Sequence, residues 1–111
     1  MAHAPVKHRL TAILAADAAG FASLMAIDER ATLAALDAAR AIFKAQVEPS
    51  HGRVIDMAGD SVLAVFETAA GAVDAALAIQ QALGLANPAV QGARMQFRIG
   101  VHLGDVIEKH D

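Results

Sequence analysis

Two aspartates carry the clearest chemical signal in this sequence. Asp17 ends the hydrophobic run from Leu10 to Ala16, and Asp60 stands beside Gly59 at the start of the run that ends at Phe66. Carboxylates held close together raise the pKa of one of them, unless a cation neutralises the pair. Mg²⁺ and Mn²⁺ prefer oxygen ligands, and Mg²⁺ commonly completes its coordination with substrate phosphates. The two aspartates therefore predict a divalent-metal site for phosphate chemistry, provided that the fold brings them together.

A structural interpretation of the same residues stays open. An aspartate at a strand end is often a turn or cap residue, and Asp60 after Gly59 is common turn composition. Short motifs also occur by chance. Spacing alone therefore does not decide between a turn and a metal site.

The hydrophobic pattern predicts the strands that would position these side chains. Short apolar runs bounded by Gly, Pro or Asp are typical of strands, and a two-residue turn of Gly59-Asp60 would join two of them. The predicted strands are Leu10 to Ala16, Arg53 to Met57 and Ser61 to Phe66.

The last strand has the most regular alternation. The residues Phe97, Ile99, Val101 and Leu103 alternate with Gln96, Arg98, Gly100 and His102, which predicts one apolar face. Arg98 is expected to face solvent or a partner chain. A turn is predicted at Gly104-Asp105, followed by the start of a further strand at Val106-Ile107.

Three helices are predicted between the strands. A short one covers Gly20 to Ala26, a second is capped by Asp28 and stopped by Pro49 and Gly52, and a third runs from a cap at Thr68 to about Ala86, before Asn87-Pro88. Three-and-four spacing places the following side chains on inward faces: Phe21, Leu24 and Met25; Leu33, Leu36, Phe43 and Val47; Val73, Leu77 and Leu83.

This order of elements predicts an α+β fold. A βααββαβ succession fits the split βαβ, ferredoxin-like sandwich, an antiparallel sheet with helices on one face. In that topology the first and third strands are antiparallel neighbours at the centre of the sheet. The end of the first strand, with Asp17, then lies beside the start of the third, with Asp60. The loop Ala18-Ala19-Gly20-Phe21 leads into a helix, so its backbone N–H groups could bind phosphate oxygens.

Composition limits the classes of function. The 111 residues suit one domain, with 56% hydrophobic residues, no cysteine and a net charge of −3. The charge argues against a nucleic-acid partner, and the absence of cysteine excludes disulfides and thiolate sites. No apolar run is long enough for membrane insertion. We therefore expect a cytoplasmic protein with a tail over residues 1–8 and one domain over 9–111.

Three motifs resemble class III adenylate/guanylate cyclase catalytic domains. The segment from His8 to Phe21 is similar to their opening strand and loop, Ala58 to Phe66 to their second metal-binding hairpin, and Phe97 to Val106 to the strand that follows. The resemblance implies cyclisation of a nucleoside triphosphate, ATP or GTP, by attack of the ribose 3′ oxygen on the α-phosphate, with pyrophosphate as leaving group. It also implies Mg²⁺ or Mn²⁺, two ions with nucleotide, a head-to-tail homodimer and a role in intracellular signalling.

The resemblance assigns residues by position. Asp17 and Asp60 would be the metal ligands, helped by the carbonyl of Ala18, and Gly20 and Phe21 would lie along the triphosphate. Asp56 stands where adenylate cyclases usually have an adenine-recognising lysine and guanylate cyclases often have glutamate. Because a carboxylate only accepts hydrogen bonds, Asp56 suits the N–H groups of guanine. A solvent-facing strand residue or a degenerate base pocket is an equally open interpretation.

A segment of the family carrying an asparagine and an arginine for the transition state is not part of these 111 residues. No catalytic residue beyond the metal ligands is identified, and we expect this partial catalytic domain to be inactive alone. Two other interpretations remain: a non-catalytic cyclase-like dimerisation or regulatory module, and an unrelated ferredoxin-like domain that binds a small ligand.

Overall fold

A computed structural model describes residues 7–86, 89–90 and 93–108. It confirms the predicted α+β fold, an antiparallel sheet with helices packed on one face. The strands are β1 (Lys7–Ala18), β2 (Gly52–Asp56), β3 (Val62–Phe66), β4 (Ala89–Val90), β5 (Ala93–Arg94) and β6 (Phe97–Glu108). The helices are α1 (Phe21–Ile27), α2 (Glu29–Val47), which continues into a 3₁₀ turn at Glu48–Ser50, and α3 (Ala69–Ala86).

The main sheet has the strand order β2-β3-β1-β6, in which every neighbouring pair is antiparallel. The strands β4 and β5 form a separate small hairpin. Ala16 at the end of β1 pairs with Val62 at the start of β3, which is the neighbour relation predicted from the order of elements.

Side-chain caps begin α2 and α3 where the sequence predicts them. The Asp28 carboxylate accepts a hydrogen bond from the amide of Ala31 at 3.0 Å, and the Thr68 hydroxyl accepts one from the amide of Gly71 at 2.9 Å. Each cap satisfies an amide that the first helical turn leaves without an intrahelical acceptor. The predicted stop at Asn87-Pro88 lies outside the described residues, as do residues 1–6 of the predicted tail.

The core lies between the helices and one face of the sheet. Its largest side chains include Phe43, Phe66 and Leu14, and Phe43 meets Phe97 edge to face at 5.2 Å between ring centres. Much of the remaining core is alanine. These small side chains let the helices approach the sheet and each other closely.

The predicted inward faces are partly wrong. Leu36, Phe43, Val47, Leu24 and Leu83 are buried as expected. Leu33, Val73 and Leu77 are instead exposed, and Leu77 keeps 65% of its surface. The buried stripe of α3 is Ala72, Ala75, Ile79 and Leu83. The prediction took the larger residues of α3 as its inner face, whereas alanines one or two positions away make the close packing.

The turn predicted at Gly104-Asp105 is also wrong. Gly104 pairs with Thr11 and Asp105 with Leu10, so β6 continues without interruption to Glu108. The structure has one long strand where two were predicted, because β1 runs further than expected in the other direction, to Lys7, and offers a partner all along. The result is a long β1–β6 ribbon, of which only the middle of β1, Ala12–Ala16, also pairs with β3.

Membrane insertion was not expected, and within the described ranges no helix has the length and apolar character needed to cross a bilayer.

Candidate functional site

Asp17 lies at the end of β1 and is paired with a cation. Arg98 stands directly opposite it on β6, and the Arg98 Nε donates to Asp17 Oδ1 at 2.8 Å. Both side chains reach solvent, with 74% of Arg98 and 44% of Asp17 exposed. The sequence placed Arg98 facing solvent or a partner and did not connect it with the site. The antiparallel register between β1 and β6 was the missing information.

Asp60 is hydrogen-bonded to the backbone of the residue that follows Asp17. Its Oδ2 accepts a hydrogen bond from the amide of Ala18 at 3.1 Å. The pKa of Arg98 is raised by its hydrogen bond to Asp17, by the Asp17 charge and, more weakly, by the charge of Asp60. The charge of Asp60 therefore reaches Arg98, and the fold places the Asp60 carboxylate on the backbone of the residue next to Asp17.

Asp60 is carried by the loop between β2 and β3. Gly59 has the left-handed φ of 56°, which a side chain would disfavour, and the amide of Ser61 donates to the carbonyl of Ala58 at 2.9 Å. This is the turn predicted at Gly59-Asp60. It directs the Asp60 side chain back toward the end of β1.

Gly20 and Phe21 follow Asp17 at the start of α1. Gly20 has a φ of 65° and caps the helix without a side chain, while Phe21 is half-buried against the core. The amide of Ala19 donates to the carbonyl of Gln96 at 2.7 Å, and the Ala18 amide is used by Asp60. Two of the four amides in the predicted phosphate loop are thus occupied within the fold.

Asp56 ends β2 and lies on the sheet face opposite the helices. A β-bulge between Val54 and Asp56 shifts the register and pairs Asp56 with Leu63. Asp56 lines an open depression of about 540 Å³ together with Asp17, Ser61, Arg98 and Gly100. Gly20 and Phe21 do not line it. The predicted base-binding residue and one predicted metal ligand therefore share a concave surface.

The donor set fits a hard divalent cation. Each aspartate has one hydrogen-bond donor on one of its oxygens, and a carboxylate has further acceptor sites. Across the described residues, no group of three or more His, Cys, Asp or Glu side chains converges. Mg²⁺ is usually bound by one or two carboxylates, and water and phosphate oxygens complete its coordination shell. Two aspartates suit that pattern better than a site in which protein groups surround the metal completely.

A family comparison matches residues 5–111 to the adenylate and guanylate cyclase catalytic domain. The chain belongs to that family. The cyclase domain is 42% identical to the protein named "Putative adenylate cyclase 3" of Rhizobium meliloti (strain 1021), over 96% of this chain and 19% of that protein.

Solved structures of cyclase domains share the fold of this chain. The crystal structure of an adenylate/guanylate cyclase/hydrolase from Silicibacter pomeroyi is 34% identical, with a TM-score of 0.79 over 96% of this cyclase domain and 63% of that chain. The guanylate cyclase domain of RhGC from Catenaria anguillulae, solved with GTP, is 19% identical, with a TM-score of 0.77 over 89% of this chain and 59% of that one. The chain thus spans about a fifth of the curated relative and less than two thirds of these solved relatives.

Proposed function

We propose that this chain forms the metal- and triphosphate-binding part of a nucleotidyl cyclase. The enzyme would join the ribose 3′ oxygen to the α-phosphate of ATP or GTP and release pyrophosphate. The observation that carries the proposal is the bond from the Ala18 amide to Asp60, which brings the second carboxylate beside Asp17 in a chain of this family.

Asp17, Asp60 and the Ala18 carbonyl would hold Mg²⁺ or Mn²⁺. A cation bound there would polarise phosphate oxygens and favour deprotonation of the attacking hydroxyl. Asp60 is fixed by the Ala18 amide, so little reorganisation is needed on its side. The cation would compete with Arg98 for the charge of Asp17.

Arg98 would then turn to the phosphates. Its guanidinium is largely exposed, and its partner Asp17 would be neutralised by the cation. Arginine binds phosphate oxygens through several fixed donors, and it stays charged throughout the accessible pH range. Gly20 and Phe21 would contact the triphosphate through their backbone amides.

Asp56 would contact the base. Its carboxylate accepts hydrogen bonds only, which fits the N1–H and the exocyclic amine of guanine. GTP is the ligand of the Catenaria anguillulae relative. In Asp56→Asn we expect the affinity for Mn²⁺–GTP to fall about tenfold or more, because bonds to a charged group are among the stronger ones. The affinity for Mn²⁺–ATP should change little. Equal changes for both nucleotides would remove Asp56 from base recognition.

We expect these 111 residues alone to turn over nucleotide about 10³–10⁵ more slowly than an enzyme with the charge-stabilising arginine that the resemblance implies. The first test therefore measures binding. Calorimetry with Mn²⁺–GTP and Mn²⁺–ATP should show binding by the wild type. It should show a loss of at least about a hundredfold in Asp17→Asn and Asp60→Asn, because each substitution removes a charged ligand of the ion.

Asp105→Asn is the matched control, since Asp105 lies on β6 at the other end of the ribbon. It removes the same charge and should bind like the wild type. Equal binding by all four proteins would reject the metal assignment.

We also propose that the domain acts as a homodimer through the sheet face opposite the helices. That face exposes 48% of Ile55 and 38% of Leu63 and contains a second depression of about 1030 Å³. Sedimentation should show Leu63→Arg as a monomer, because a charge on an apolar contact opposes association. Leu85→Arg, which alters an exposed leucine of α3, should leave the association state unchanged.

A non-catalytic dimerisation or regulatory module is the second candidate. Asp56, in place of the lysine usual in adenylate cyclases, is the feature that favours it. It predicts a dimer without metal-dependent nucleotide binding, so calorimetry and sedimentation together separate it from the first proposal.

A further inference from the structure

The loop that carries Asp60 is attached to helix α2 by a residue outside the proposed ligand set. The Nη2 of Arg40, in the middle of α2, donates a hydrogen bond to the carbonyl of Gly59. The contact joins residues 19 positions apart in sequence, so it connects two separate elements.

The guanidinium of Arg40 lies against the protein rather than extending into water. Only 31% of the side chain is exposed, and its Nε is buried without a hydrogen-bond partner in the part of the chain that the structure describes. One carboxylate within ion-pair distance, Asp37, lies one turn away on α2, with its Oδ1 3.6 Å from Nη1. The Asp37 side chain is itself 79% exposed, so this ion pair adds little and does not explain where the guanidinium lies.

The carbonyl oxygen that Arg40 binds belongs to the peptide unit that orients Asp60. The Gly59 carbonyl and the Asp60 amide belong to one planar peptide unit, which rotates as a rigid body. Gly59 has no side chain to restrict this rotation, and a Cβ added there would meet nothing within 4 Å. A donor on the carbonyl oxygen supplies the restriction that the glycine lacks.

The loop is then held at three points, by helix α2, by strand β1 and by its own turn. Arg40 of α2 holds Gly59, the amide of Ser61 closes the turn onto Ala58, and the amide of Ala18 in β1 holds the Asp60 carboxylate. Removing the first contact frees the peptide plane on which the third depends.

We propose that Arg40 is a positioning residue for the second metal ligand. By fixing the Gly59–Asp60 peptide plane, it keeps the Asp60 carboxylate on the Ala18 amide and beside Asp17. Its consequence for metal binding rests on the proposed function, whereas its consequence for the loop can be measured without any metal.

The test uses Arg40→Met, which keeps length and helix propensity but removes every donor. Amide hydrogen exchange of the metal-free chain should become about tenfold faster at Ala18 and Ser61, while the Leu14 amide, in the middle of β1, exchanges as before. Free Mn²⁺, measured by its paramagnetic resonance signal, should show about tenfold weaker binding.

Two matched variants separate positioning from charge and from general stability. Arg40→Lys keeps the charge and one donor and should restore part of both effects. Asp37→Asn removes the neighbouring ion pair but leaves the bond to Gly59, so exchange and Mn²⁺ affinity should match the wild type.

Three results would overturn the inference. The first is unchanged exchange at Ala18 in Arg40→Met, and the second is an equal acceleration at Leu14. The third is an Mn²⁺ affinity that stays unchanged in Arg40→Met although Asp60→Asn has lost it. If Mn²⁺ binding does not depend on Asp60 at all, the proposed function fails. Exchange at Ala18 and Ser61 then still decides whether Arg40 holds the loop.

Discussion

The two ends of the β1–β6 ribbon have the same backbone pairing and very different surroundings. At the end with Asp17, side chains or carbonyls from β6, the β2–β3 loop and the residues before β6 contact three successive residues of the chain, Asp17, Ala18 and Ala19. At the other end, Leu10 and Leu103 are 68% and 59% exposed. Strand pairing is therefore not what distinguishes a site from a surface here. The contacts to Asp17, Ala18 and Ala19 distinguish the site, because they join three separate segments of the chain at one point.

The largest expected effect compares two leucines of the same strand. Leu14→Ala should lower the free energy of unfolding by about 2–5 kcal/mol, because Leu14 is fully buried and its loss leaves a cavity. Leu10→Ala, toward the exposed end of β1, should change it by less than about 0.5 kcal/mol. Urea unfolding measures both. Similar losses would mean that the exposed end is covered in solution, and the contrast between the two ends would disappear.

A smaller effect compares two glycines of β6. A Cβ on Gly104 would lie 2.5 Å from the terminal carbon of Ile13, which must turn aside, so Gly104→Ala should be less stable than Gly100→Ala. A Cβ on Gly100 meets nothing within 4 Å. Gly100→Ala should stabilise the fold by about 0.5–1 kcal/mol, because alanine restricts the unfolded chain.

The same Gly100→Ala change should weaken nucleotide binding, because Gly100 lines the depression that contains Asp17 and Asp56. Thermal unfolding and calorimetry on one protein would measure the two opposite effects. Unchanged nucleotide affinity would place the nucleotide elsewhere on the sheet.

The smallest expected effect concerns the ion pair at the site. Without nucleotide, Arg98→Gln should strengthen Mn²⁺ binding by up to about fivefold, because the ion no longer competes with an exposed and therefore weak ion pair for Asp17. Binding of the triphosphate should weaken in the same variant. Arg30→Gln, an exposed change of equal charge on α2, should do neither. If both variants change the Mn²⁺ and triphosphate affinities in the same way, Arg98 acts only through its net charge.

The sequence predicted the features that depend on local chemistry. The caps at Asp28 and Thr68 and the turn at Gly59-Asp60 are each confirmed, since the interacting groups are close in sequence. The neighbour relation of Asp17 and Asp60 was predicted from the order of elements, because few topologies accommodate that order.

The sequence did not predict the features that depend on which face of an element packs. Val73 and Leu77 were expected inside α3, yet Ala72 and Ala75 are buried there, because close approach of helix and sheet favours the small residues. The partners of Asp17 and Asp60, Arg98 and the Ala18 amide, lie far along the chain from them. Only the strand register decides that they meet.

Thr32 connects helix α2 to helix α1. Its buried hydroxyl contacts the carbonyl of Leu24 in α1 at 2.9 Å and that of Asp28 at 2.7 Å, which fastens the corner between the two helices. Because Arg40 joins the same helix to Gly59, a small sliding of α2 would shift the Gly20 loop and the Asp60 loop in concert. Any force on this one helix would therefore move both loops together.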